Sequence, residues 1–223
     1  ISFRYETSVS QPTRQIELAD PVTYMRLNNE AVLTRDPTGL EPYSQSKIDN
    51  TVRGSNPYVY PTNDWYGLLF KKSTINHRGN FNVSGGGKVA QYYIAGTLNQ
   101  DTGVLKTERG SDNNIDLKKF QLRSNINIKM TKTTDVIVRL SGTFDDYKGP
   151  LDGGSTLYQK VMRSDPVAFP ATFAPDAANI ETNHILFGNA DTGNYINPYA
   201  DMVRGFKSYS TSKMAAAIEV KQD

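Results

Sequence analysis

The sequence predicts an all-β chain: one stretch of wall from an antiparallel transmembrane β-barrel, with long loops that hold short helices. Three observations predict it. Apolar and polar residues alternate with a period of two in several segments, which gives strands with unlike faces. The connections between those segments run long, short, medium, short, long, the pattern of short turns and long loops found in outer-membrane barrels. The strands are about ten residues long, enough to cross a bilayer when tilted. The same period also suits a soluble β-sandwich with one wet face, which is the rival reading.

The elements follow in order. Residues 1–10 set Ile1, Phe3, Tyr5, Thr7 and Val9 against Ser2, Arg4, Glu6, Ser8 and Ser10. Fainter alternation places strands at 77–85, through Phe81 and Val83, and at 89–100, through Tyr92, Ile94 and Leu98. Gly85-Gly86-Gly87-Lys88 joins them as a tight turn. In 119–131, Phe120, Leu122, Ser124, Ile126, Ile128 and Met130 oppose Gln121, Arg123, Asn125, Asn127 and Lys129. Thr131-Lys132-Thr133-Thr134 then turns into 135–147, where Val136, Val138, Leu140, Gly142 and Phe144 oppose Ile137, Arg139, Ser141, Thr143 and Asp145. A last strand at 209–222 sets Met214, Ala216, Ile218 and Val220 against Lys213, Ala215, Ala217, Glu219 and Lys221. The expectation is that Ile126, Ile128, Val136, Val138 and Leu140 face lipid, and Arg123, Asn125, Asn127 and Arg139 face the lumen. Tyr92, Phe120 and Phe144, near strand ends on the apolar face, fit an aromatic girdle. About six strands are fewer than the roughly eight of the smallest bacterial barrels, so the chain is expected to be a fragment.

The long loops, 11–76 and 148–208, carry helix signals of their own. Asp20-Pro21 starts a helix through Tyr24, Leu27, Asn28 and Ala31. Asn63 or Asp64 caps a short one through Trp65, Leu68 and Leu69. Ser155 caps a third through Tyr158, Val161 and Met162, ending before Asp165-Pro166. The rest is rich in Pro, Gly, Asn and Tyr, as in Asn56-Pro57-Tyr58-Val59-Tyr60-Pro61 and Asn197-Pro198-Tyr199. Long loops with their own structure are usually functional.

Composition removes whole classes of chemistry. The 223 residues contain no cysteine, so disulfides, thiolate metal sites and cysteine catalysis are excluded. The two histidines, His77 and His184, lie far apart and are expected to be loop or rim residues rather than ligands. A net charge of +2 gives no reason to expect a nucleic-acid partner. The longest unbroken apolar run is Met214–Ile218, far short of the about 20 residues of a transmembrane helix. Gly85-Gly86-Gly87-Lys88 lacks the spacing of a phosphate loop, and no nucleophile elbow is present. No enzymatic activity, metal or cofactor is expected.

Several runs together resemble the SusC/RagA family of TonB-dependent outer-membrane transporters. They are Asn63-Asp64-Trp65-Tyr66-Gly67-Leu68-Leu69-Phe70-Lys71, Asn80-Phe81-Asn82-Val83-Ser84-Gly85-Gly86-Gly87, and Tyr92-Tyr93-Ile94-Ala95-Gly96 with Asn99-Gln100-Asp101-Thr102-Gly103. Leu122-Arg123-Ser124-Asn125 and Phe144-Asp145-Asp146-Tyr147 extend the likeness across the chain. The resemblance implies the first part of a barrel of about 22 strands, after a plug domain that this chain lacks. It implies import of a large nutrient, an oligosaccharide or else a peptide, through the bacterial outer membrane. It further implies a SusD-like surface lipoprotein as lid, energy delivered by TonB through the plug, and outer-membrane lipid around the wall. The alternative is a structural or adhesive surface β-protein whose loops bind a partner without transport; a glycan-acting enzyme is a third reading.

Two groups of residues are candidates for contact. Asp145, Asp146 and Tyr147 gather carboxylates and a phenol where a strand leaves the membrane, suited to sugar hydroxyls and a pyranose face. They serve equally to hold the next loop through Lys148 or Arg163. For Asp145, Asp146 and Asp152 a calcium site or a glycosidase pair stands against the plainer reading of rim charges beside a turn. Tyr58, Tyr60 and Trp65 either meet a partner or a sugar, or pack the loop's own core.

Overall fold

The computed structural model describes residues 1–14, 16–107, 113–182, 184–190 and 196–223. The chain divides into two compact units: residues 1–12, 71–150 and 206–223 form one, and residues 13–70 and 151–205 the other.

The first unit is an antiparallel sheet. Its strands are β1 (Ser2–Ser10), β2 (Thr74–Gly86), β3 (Ala90–Thr102), β4 (Asp116–Lys129), β5 (Thr134–Pro150) and, after the two short strands β6 (Thr172–Phe173) and β7 (Leu186–Phe187) of the other unit, β8 (Phe206–Gln222). They pair in the order β1-β2-β3-β4-β5-β8, a meander in which every neighbour is antiparallel. The β2–β3 turn needs Gly86, whose φ of 147° an L side chain rarely adopts, and closes with Gly87 N–H donating to Ala90 O at 2.7 Å. The β4–β5 turn closes with Met130 N–H on Thr134 O at 2.9 Å and hydroxyl contacts between Thr131 and Thr134.

Register turns the period of two into a surface. Residues directly opposite share a face, so five successive rows can be read across the sheet. Near the turns runs Ala90–Ile128–Val136–Val220, then Tyr92–Ile126–Val138–Ile218. Next come Val83–Ile94–Ser124–Leu140–Ala216 and Phe3–Phe81–Gly96–Leu122–Gly142–Met214. The last is Tyr5–Gly79–Leu98–Phe120–Phe144–Ser212. No charged side chain occurs in these rows. The expected separation of Ile126, Ile128, Val136, Val138 and Leu140 from Arg123, Asn125, Asn127 and Arg139 is therefore observed. Phe120 and Phe144 lie opposite each other in the last apolar row, which ends at Tyr5 three strands from Phe120, and Tyr92 lies toward the turns. Gly96 is small because the Phe81 ring lies over it, and a Cβ there would collide with that ring. The other face carries Arg78, Arg123, Arg139, Lys213 and Glu219 among amides and hydroxyls.

The strands outrun their expected ends on the loop side: β2 starts at Thr74, β3 reaches Thr102, β4 starts at Asp116, β5 reaches Pro150 and β8 starts at Phe206. There the backbone ladder continues while the alternation breaks: on β4, β5 and β8 the former apolar face turns polar and Leu117, Tyr147 and Tyr209 stand on the opposite one. The expected long loops 11–76 and 148–208 shorten accordingly.

The second unit is helical: α1 (Pro21–Arg35), α2 (Gln45–Val52), α3 (Trp65–Leu69), α4 (Gly154–Arg163) and α5 (Pro198–Val203), with β6 and β7 as a small antiparallel pair. Asp20 Oδ1 caps α1 by accepting from Val22 and Thr23 N–H at 3.0 and 3.1 Å. Asp64 caps α3, accepting from Gly67 N–H at 2.8 Å, while Asn63 is turned to other work. One cap differs from expectation. Gly153 is the N-cap of α4, at φ 80°, and Ser155 lies inside the first turn, because the chain enters through a backbone conformation that favours glycine. Two helices were not expected: α2, capped by Ser44, and α5, capped by Asn197 with Pro198 in the first turn. The core holds Met25, Ile48, Trp65, Leu69, Leu157, Val161, Val167, Phe169 and Met202, all at most 3% exposed. Both loops contribute to it.

Candidate functional site

The segment Asp165–Phe169 ties the two loops into one body. Trp65 Nε1 donates to Asp165 O at 3.0 Å, and Tyr43 Oη donates to the Asp165 carboxylate at 2.8 Å. Asn63 donates its backbone N–H to Pro166 O at 2.9 Å and its amide to Phe169 O at 2.7 Å. Lys47 Nζ reaches Val167 O at 3.0 Å. Burial, the hydrogen bond to Asp165 and that carboxylate's charge together push the Tyr43 phenol far above its ordinary range, so it stays a donor. Asn29, buried, holds Tyr43 from the other side through both backbone groups, at 2.6 and 3.0 Å. The contacts to Asp165–Phe169 join residues 100 to 122 apart in sequence, and no local spacing announces them.

This geometry sorts the loop aromatics. Trp65 is 2% exposed and packs tilted against Phe169 at 6.1 Å, so its ring is core and offers no anchor to a partner. Tyr60 is half-buried after a turn closed by its N–H on Asn56 O. Tyr58 remains outside: it stacks on Phe173 of the second loop at 5.4 Å, both rings exposed, beside exposed Val59. The unit also has a cavity of about 690 Å³, with Ile16, Leu18, Met162 and Pro166 on its apolar part and Glu17 and Asp20 among its polar lining. Hydrogen bonds from Thr23 and Val22 outweigh the small cost of burial and hold the Asp20 carboxyl below its usual range, so it is no proton donor near neutral pH.

Asp145, Asp146 and Tyr147 do not form one cluster. Asp145 and Tyr147 share the polar face, and Asp146 points to the other, as neighbours on a strand must. Asp145 lies opposite Lys119, whose Nζ is 3.8 Å away, and its Oδ1 is buried with no hydrogen bond. Tyr147 stacks on Tyr209 across the pair at 4.9 Å. Asp152 is engaged in a charge network instead of a metal or acid pair. Lys160 Nζ bridges Asp152 and Asp201 at 2.6 and 2.5 Å, and Arg204 reaches the same two carboxylates at 2.7 and 3.3 Å. Among the described residues no three His, Cys, Asp or Glu side chains gather as a metal site. His77 Nδ1 meets the Tyr5 hydroxyl at 2.8 Å, and His184 is exposed.

The network fastens α4 to α5, and its removal has a defined signature. Burial alone would pull Lys160 down, but its hydrogen bonds to Asp152 and Asp201 and their charges win and raise it. The hydrogen bond from Lys160 is the chief cause that lowers Asp152. The stabilisation is therefore complete above the unfolded carboxylate range, about pH 4, and below the unfolded lysine range, about pH 10.4. It is lost as pH falls through the depressed Asp152 pKa or rises through the elevated Lys160 pKa. Lys160→Met is expected to cost the loop unit about 1–2 kcal/mol at neutral pH, between the values for exposed and buried pairs. Hydrogen exchange at Leu157 and Val161 measures it, and the deficit should shrink toward pH 3.

No model of a known protein family matches the chain, and no curated protein matches it in sequence. The class of the molecule rests on its geometry: a six-stranded antiparallel sheet with one apolar and one polar face, and a separate helical unit built from two long loops. Sequence reasoning missed Asp165, Asn29, Asn63 and Lys47 as the fasteners of that unit. Asp165-Pro166 carries a signal, since an aspartate before proline at a helix exit is a common turn former, but its partners are long-range.

Proposed function

We propose that this chain is part of an outer-membrane active transporter of the SusC/RagA type, its sheet a section of barrel wall and its helical unit an extracellular structure. The observation that carries the reading is the uncharged five-row band. From Phe120 to Ile128 it runs about 27 Å along β4 at about 3.4 Å per residue. Tilted by about 40°, that is about 21 Å of thickness, close to the about 25 Å apolar belt of such barrels. Polar rows follow on the same face, Thr7–His77–Gln100–Lys118–Asp146–Ser210 on the loop side and Thr134–Gln222 on the turn side. On β3, β4, β5 and β8 the apolar face ends at one height, whereas on β1 and β2 it resumes one row further on with the exposed Val9 and Ile75. The outer edges of β1 and β8 carry no strand among the described residues, and an open edge is untenable in lipid, so further strands close the wall.

In this reading the nutrient is an oligosaccharide or a peptide, TonB supplies energy through a plug, and a SusD-like lipoprotein covers the extracellular side. Asp145, with an unsatisfied carboxylate oxygen, and the Tyr147–Tyr209 stack face the lumen. The stacked Tyr58–Phe173 pair is the aromatic anchor on the loop unit, with Tyr58 kept of the three residues Tyr58, Tyr60 and Trp65 first considered. Replacing both Tyr58 and Phe173 with alanine in the intact transporter is expected to lower co-purification of the lipoprotein at least tenfold, while the loop unit keeps its protease resistance. Undiminished co-purification removes this surface from the lid contact.

A further inference from the structure

We infer that the sheet carries a binding groove for the phosphorylated sugar headgroup of an outer-leaflet glycolipid, on the lipid-facing side just above the apolar band. The inference rests on the membrane reading above, and its test is chosen to separate the two. A groove of about 760 Å³ opens where β3, β4, β5 and β8 outrun the last apolar row. Lys118, Asp146 and Ser210 stand in the first polar row beyond Phe120 and Phe144, and Lys148 and Ser208 in the next. All five lie on the same face as the band, because they continue its even-numbered positions along each strand. A lipid whose chains lie on that band carries its headgroup to this height and no other.

The chemistry of the groove fits such a headgroup. Lys118 and Lys148 occupy adjacent strands one row apart, a spacing suited to one phosphate between them or to two on neighbouring sugars. Lys118 is 3.4 Å from Asp116, which also accepts from the Gln100 amide at 3.0 Å, and Lys148 stands over the Phe206 ring at 5.1 Å. Both ammonium groups are thus positioned rather than trailing in solvent. Ser208 and Ser210 supply hydroxyls, and Asp146 is an acceptor for sugar hydroxyls. A phospholipid with a single phosphate offers fewer hydroxyls to Asp146, Ser208 and Ser210 than a phosphorylated disaccharide does, which is why the glycolipid is the occupant named. The long-loop end of the strands is the outer-leaflet end in barrels of this kind, where that lipid resides.

The test uses the complete transporter, purified in detergent. Lipid A and phosphatidylglycerol are titrated separately against the parent protein, Lys118→Ala/Lys148→Ala, Asp146→Asn, and Lys213→Ala on the opposite face as control. Binding is read by native mass spectrometry, and barrel integrity by heat-modifiable migration. The expected result is a lipid A affinity at least tenfold weaker for the lysine pair and several-fold weaker for Asp146→Asn. Lys213→Ala should equal the parent, and the parent should bind phosphatidylglycerol at least tenfold less tightly than lipid A. Equal affinity of the parent for the two lipids overturns the glycolipid assignment. Unaltered lipid A binding in the lysine pair, with the barrel intact in membranes, overturns the groove and leaves the transporter reading standing. A protein that stays monodisperse without detergent and binds neither lipid overturns both.

Discussion

Trp65→Ala should unfold the loop unit's packing at a cost of about 3–5 kcal/mol, the range for deleting a large buried aromatic. The ring is fully enclosed and its N–H bridges the first loop to the second through Asp165 O. The two losses fall on one residue: a cavity beside Phe169 and an unsatisfied carbonyl in the fastening segment. Hydrogen exchange across 25–69 and 157–169 should accelerate together, because Met25 and Ile48 of the first loop form one buried cluster with Val167 of the second, two residues from Phe169 on which Trp65 packs. Trp65→Phe keeps one aromatic ring but loses the hydrogen bond and part of the indole's volume, and should cost less than Trp65→Ala. If Trp65→Ala leaves exchange in both loops unaltered, the loops do not form one body. The same logic predicts that deleting most of 154–206 disorders the first loop as well, so such a deletion cannot separate partner contact from folding.

The second large effect is in the sheet. Ile126→Arg puts a charge in the second row of the apolar band, next to Tyr92 and Val138 across the strands. At bilayer depth that costs about 2–4 kcal/mol, and assembly in the outer membrane should fall accordingly. Asn125→Arg, one residue away, points to the opposite face beside Tyr93 and Arg139, and should assemble nearly as the parent does. Heat-modifiable migration of membrane fractions gives the two yields. Equal yields would contradict the assignment of faces, whatever their absolute level.

The sequence made the sheet legible for a physical reason. A strand with one face in a uniform apolar medium and the other in water must alternate, and Phe120–Met130 and Val136–Phe144 do so almost without exception. Turn chemistry added the hairpins, through Gly85–Lys88 and Thr131–Thr134. Legibility stopped where the apolar rows end. Beyond Phe120 and Phe144 the apolar face turns polar while Leu117, Tyr147 and Tyr209 take up the opposite face, so the ladder that continues to Asp116 and Pro150 no longer follows the alternation. In the loop unit the helices with a capping aspartate were readable, α1 and α3 above all. For Trp65 the sequence left packing of the loop core and partner contact both open, and Phe169 and Asp165, about a hundred residues away, decide for packing. Asp145 and Asp146 looked like a pair in sequence and are set on opposite faces by the pleat that the alternation itself implies. The same alternation, applied consistently, would have separated them.

The chain contains no cysteine, which makes a label scan along 120–128 direct. Single cysteines, spin-labelled in the complete protein in native-like bilayers, can be probed with oxygen, which concentrates in lipid, and with a water-soluble nickel chelate. The account predicts two profiles of period two, out of phase: oxygen access peaking at residues 120, 122, 124, 126 and 128, nickel access at 121, 123, 125 and 127. Nickel access equal at both sets of positions, with no oxygen maximum at Leu122 or Ile126, would contradict a wall facing lipid and return the sheet to a soluble fold.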